Sequence, residues 1–113
     1  MTVGIIGLGL IGGSMARAYK KSGFTVLGCD TNDVVLSWAK LNGIAYENLT
    51  NDNIPDCDLI LLAITPKSAA KWLEENAPSI AKTTLVMDLC GTKRYICSVG
   101  FALAEKYGFT FVG

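Results

Sequence analysis

The sequence predicts a doubly wound α/β domain, a parallel sheet between two layers of helices, on three observations. Apolar runs of strand length alternate with amphipathic segments of helical length along the whole chain. Those runs are almost continuously apolar, as strands buried on both faces are, and Asp58-Leu-Ile-Leu-Leu-Ala-Ile64 shows it most clearly. The first run, Val3 to Ile6, enters its helix through a turn carrying Gly7, Gly9 and Gly12. Strand, glycine turn and helix in this order are what a dinucleotide fold requires.

The elements follow in sequence. After the glycine turn, Ile11, Met15, Ala18 and Tyr19 recur at helical spacing and predict the inner face of a first helix stopped by Gly23. Phe24 to Cys29 read as the second strand. Thr31 or Asn32 caps a second helix whose shared face is Val34, Trp38 and Leu41, ended by Gly43. Ile44 to Tyr46 give a weak third strand, and the polar, turn-rich segment Glu47 to Asp56 reads as surface loop. The fourth strand breaks at Thr65-Pro66, and Pro66 suits the first turn of a helix running toward Asn76 with Trp72 and Leu73 inward.

Leu85 to Asp88 form the fifth strand. Ile96, Val99, Leu103 and Tyr107 line one face of the last helix, which Gly108 ends, and Phe109 to Val112 supply a sixth strand. The expected strand order is 3-2-1-4-5-6 in a single Rossmann-type domain of three αβα layers. Right-handed crossovers then gather Gly7 to Gly12, Asp30, Thr65-Pro66 and Gly91-Thr92-Lys93 at one crevice on the carboxyl edge of the sheet.

Composition narrows the partners. Half of the 113 residues are hydrophobic, enough for one domain with a real core. Ten basic residues balance ten acidic ones, so no net field attracts nucleic acid or an anionic membrane. No apolar run approaches the ~18 residues of a membrane span, and no basic leader precedes the first strand, so a cytoplasmic protein is expected. Cys29, Cys57, Cys90 and Cys97 form no C-x-x-C pair and the chain has no histidine, so metal ligation is not expected and the cysteines read as reduced small hydrophobes.

The glycine turn carries the chemistry. Gly7 allows the tight turn, Gly9 lets a pyrophosphate approach the backbone, and Gly12 lets the helix pack on the strand. The phosphates sit on free N–H groups at the helix N-terminus, where the macrodipole favours negative charge. Asp30 closes the second strand about 20 residues on, where the fingerprint places an acid on the adenosine ribose. No lysine or arginine lies in Thr31-Asn32-Asp33 to neutralise a 2′-phosphate, so NAD is expected rather than NADP.

Gly7-Leu-Gly-Leu-Ile-Gly-Gly-Ser14, Asp88-Leu-Cys-Gly-Thr-Lys93 and Phe109-Thr-Phe-Val-Gly113 together resemble the nucleotide-binding N-terminal domain of the prephenate dehydrogenase family, across the whole chain. The resemblance implies that Gly7, Leu8, Gly9, Leu10, Ile11 and Gly12 hold the pyrophosphate, that Asp30 and Thr31 meet the adenosine ribose, and that Thr65 and Pro66 flank the nicotinamide side. Thr92 stands where the family has a serine or threonine near the nicotinamide and the reacting hydroxyl, although it also suits the cap of the last helix. Lys93 balances phosphate or substrate charge, or is solvated surface.

The implied reaction is oxidative decarboxylation of prephenate or arogenate in tyrosine biosynthesis, by a homodimer in the full-length protein. The family's proton-accepting histidine and its helical substrate and dimerisation domain are expected beyond residue 113, so these residues alone are expected to bind cofactor without turnover. Two alternatives share the same half: a dehydrogenase of the 3-hydroxyacid or imine-reductase kind, and a non-catalytic dinucleotide-binding module. A docking face with an apolar patch at Phe101, Phe109 and Phe111 is a further expectation.

Overall fold

The computed structural model describes residues 1–89, 91 and 93–113. Six strands form one parallel sheet: β1 (Thr2–Ile6), β2 (Thr25–Cys29), β3 (Glu47–Asn48), β4 (Leu59–Leu62), β5 (Leu85–Asp88) and β6 (Thr110–Val112). Their order is β3-β2-β1-β4-β5-β6, the doubly wound order. The helices are α1 (Leu10–Lys21), α2 (Asp33–Leu41), α3 (Pro66–Asn76) and α4 (Arg94–Tyr107).

Each sheet face has its own core. Ile6, Ile60, Leu62 and Val86 meet Leu73 of α3 and Ile96 of α4 on one side. Val3, Ile5, Val26 and Leu61 meet Ala16 of α1 and Ala39 of α2 on the other. The alternation along β1 and β4 follows from the period of two in a strand, and burial on both faces explains why these runs are apolar throughout. Register places Ile6 beside Cys29 on one side and Leu62 on the other, with Leu62 beside Asp88. The loops after β1, β2, β4 and β5 therefore leave the same edge of the sheet.

Two helix faces differ from expectation. On α1 the buried residues are Gly12, Gly13 and Ala16, with Met15 and Tyr19 half-buried, while Ile11 and Ala18 are exposed. Small residues bring the helix close to the sheet, so its inner face is the least apolar-looking one. On α2 the contact runs through Val35, Leu36, Trp38 and Ala39, and Val34 and Leu41 stand in solvent.

The third strand is Glu47–Asn48 rather than 44–46, inside the segment read as loop. Both of its residues are exposed at the sheet edge, whereas Ile44 and Tyr46 turn inward as anchors. Phe109 and Phe111 belong to the core, so of the expected apolar patch only Phe101 is exposed, edge-on to Phe111.

Candidate functional site

The three glycines of the first turn have different physical causes. Gly7 sits at φ +98°, and a Cβ there would lie 2.5 Å from the Ala63 carbonyl oxygen. At Gly12 a Cβ would fall 1.8 Å from the carbonyl oxygen of Gly7, so helix and turn meet only through glycine. Gly9 has neither reason: its φ of −72° suits any residue, and a Cβ would meet nothing within 4 Å. Its bare backbone faces open space. Glycine there leaves the backbone open to close approach by another group, as the pyrophosphate approaches it in a dinucleotide turn.

Gly9 is also the N-cap of α1, with no side-chain cap and no acidic residue in the helix's first turn. The first N–H groups of a helix have no partner within it, so this end offers donors and the positive end of the dipole to an anion. Leu10 and Ile11 carry two of these amides, and their exposed side chains lie outside the core.

Asp30 fixes the turn from the neighbouring strand. Its Oδ2 accepts from the Leu8 amide at 2.9 Å and its Oδ1 accepts from the Asn32 amide at 2.9 Å. Each carboxylate oxygen keeps a second lone pair for a ribose hydroxyl. The carboxylate thus joins the glycine turn to the start of α2, where Asn32, not Thr31, caps by accepting from the Val34 and Val35 amides.

An open cleft of about 450 Å³ begins at Gly7, Asp30 and Thr31 and extends along α3 past Ile64, Ser68 and Trp72. Thr65 caps α3, its Oγ1 accepting from the Ser68 amide and donating to the Ser68 hydroxyl, and Pro66 is the first helical residue. The sequence places Thr65 and Pro66, the cap and first residue of α3, at the site, but not the wall that α3 forms beyond them. Its signal was present, since Ser68, Trp72 and Glu75 recur at helical spacing after the cap and all line the cleft. Cys29 also lines it, with a thiol pushed up to about 11 by burial and then by the Asp30 carboxylate, so it is protonated and unreactive at neutral pH.

At the end of β5, beside Leu62 of β4, Asp88 and Lys93 bind each other. The Lys93 ammonium donates to the Asp88 carbonyl at 3.0 Å and to Asp88 Oδ2 at 2.9 Å. The Asp88 side chain is wholly buried, and its Oδ1 has no hydrogen-bond partner among the described residues. Lys93 is therefore a pinned cation rather than freely solvated, and it does not line the cleft. Thr92, the candidate beside the reacting centre, lies outside the described residues. Among the described residues no cluster of His, Cys, Asp or Glu has the makings of a metal site, and no helix is long and apolar enough to cross a membrane.

Solved structures share this fold. The chain matches 3-hydroxyisobutyrate dehydrogenase of Mycobacterium tuberculosis with a TM-score of 0.81 and 22% identity, over 97% of this chain and 38% of that one. An imine reductase of Streptomyces aurantiacus matches with TM-score 0.78 and 22% identity, over 98% and 39%. Prephenate dehydrogenase of A. aeolicus, solved with hydroxyphenyl propionate and NAD+, matches with TM-score 0.75 and 22% identity, over 98% and 40%. At such identities the likeness is one of fold, and the chain spans about two fifths of those proteins. No curated protein sequence matches it. The family model described as prephenate dehydrogenase, nucleotide-binding domain, matches residues 15–110. That match begins after Gly9 and Gly12, so the glycine turn and the matched segment are separate observations. The chain belongs to the prephenate dehydrogenase nucleotide-binding domain family.

Proposed function

We propose that this chain is the cofactor-binding part of an NAD-dependent dehydrogenase that oxidises prephenate or arogenate. The observation that carries the binding half of this reading is Gly9, a glycine required by neither backbone nor packing, at the uncapped start of α1. The family match supports the substrate class. In this reading the amides of Leu10, Ile11 and Gly12 hold the pyrophosphate, and Asp30 takes the ribose hydroxyls with the lone pairs its two backbone bonds leave free. Thr31 lies beside the ribose, and Thr65 and Pro66 are assigned to the nicotinamide side together with Thr92. When bound, the nicotinamide supplies the hydride acceptor. The family's proton-accepting histidine has no counterpart among the 113 residues, which contain no histidine.

Asp30 makes NAD the preferred cofactor, because a 2′-phosphate brought against its carboxylate meets like charge. The preference follows from one mispaired charged contact, on the order of 1–3 kcal/mol. Calorimetric titration of the chain with NAD and NADP tests this, with tighter NAD binding as the expected result. Equal or tighter NADP binding shows that Asp30 does not face the 2′ position.

A further inference from the structure

We propose that Lys71 is a second determinant of cofactor choice, acting on the 2′ position from α3 and opposing Asp30. This rests on the reading that the adenosine ribose lies against Asp30. Lys71 lines the same cleft as Asp30, Thr31 and Ser68, although 41 positions of sequence separate it from Asp30. Inspection of the residues after β2 alone therefore finds no cation, whereas the fold brings one in from another element.

Two further facts shape its effect. Lys71 makes no ion pair among the described residues, where the Lys93–Asp88 pair is the salt bridge formed, so its ammonium is available to an anion in the cleft. Both oxygens of Asp30 already accept a backbone amide, which offsets part of the charge that repels a phosphate. A flexible four-carbon stem lets the Lys71 ammonium follow a phosphate while adding little to recognition of a neutral hydroxyl. The cleft thus carries the fixed Asp30 carboxylate, the Glu75 carboxylate one turn along α3 from Lys71, and one mobile cation. Discrimination against a 2′-phosphate is set by the balance of these charges, with Lys71 the one that favours the phosphate, not by Asp30 alone.

The test compares the chain with Lys71→Met, which keeps most of the stem and removes the charge. Ligands are NAD, NADP, 5′-AMP and adenosine 2′,5′-bisphosphate, the last two differing only by the 2′-phosphate. Binding is read from quenching of tryptophan emission, since Trp72 lines the cleft, and checked by calorimetry. Lys71→Met is expected to weaken NADP and the bisphosphate by roughly threefold to tenfold, the scale of one partly exposed charge-assisted contact. NAD and 5′-AMP are expected to bind unchanged, and the effect to shrink at 1 M salt. Equal weakening of all four ligands, or no change in the NADP to NAD ratio, overturns the role of Lys71 while leaving the dinucleotide reading intact. Failure of the unaltered chain to bind any of the four overturns both.

Discussion

Gly12 and Gly9 differ by only three positions, yet the fold treats them oppositely. Adding a methyl at Gly12 drives it into the Gly7 carbonyl oxygen, so Gly12→Ala must separate α1 from the turn. A loss of several kcal/mol, on the order of the worst overpacking cases, is expected in denaturant melts. A second residue-scale consequence concerns Cys29, whose thiol is pushed up to about 11 from 9.0. The folded chain holds this proton more tightly than the unfolded one, so the stability it confers is complete below pH 9 and is lost as pH rises toward 11. The stability difference between the unaltered chain and Cys29→Ala should therefore shrink over that interval, and a flat difference contradicts the burial of the thiol.

At the scale of elements, caps and strand runs were more legible than helix faces. Asn32 accepts from Val34 and Val35 amides, as a cap residue before an apolar helix should. Asn32→Ala is expected to cost about 1 kcal/mol in equilibrium unfolding without altering the fold. The β4 run and the Pro66 start of α3 were readable because burial on both faces and a fixed φ leave local marks. The inner face of α1 was not, because Gly12, Gly13 and Ala16 do their packing by being small, and an apolar pattern selects the larger Ile11 instead. β3 escaped for a related reason: Glu47 and Asn48 pair through backbone alone, so their side chains carry no strand signal.

For the whole molecule, the parallel register is what turns separate sequence features into a site. The glycine turn and Asp30 were visible in the sequence because each has a local chemical reason to be what it is. Ser68, Lys71 and Trp72 were not, since their membership depends on α3 crossing back beside β1 and β4, a property of topology rather than of any neighbouring residue. The central claim is that the open space before Gly9 is the seat of a dinucleotide pyrophosphate. Gly9→Val tests it most directly when thermal melting and calorimetric titration with NAD are run on the same sample. A Cβ there meets no protein atom within 4 Å, so melting should stay close to that of the unaltered chain, within the range of ordinary surface substitutions. The unaltered chain should bind NAD at a single saturable site and the variant should show no binding. A variant that keeps its fold and binds NAD as well as the unaltered chain would place the pyrophosphate elsewhere and contradict the account.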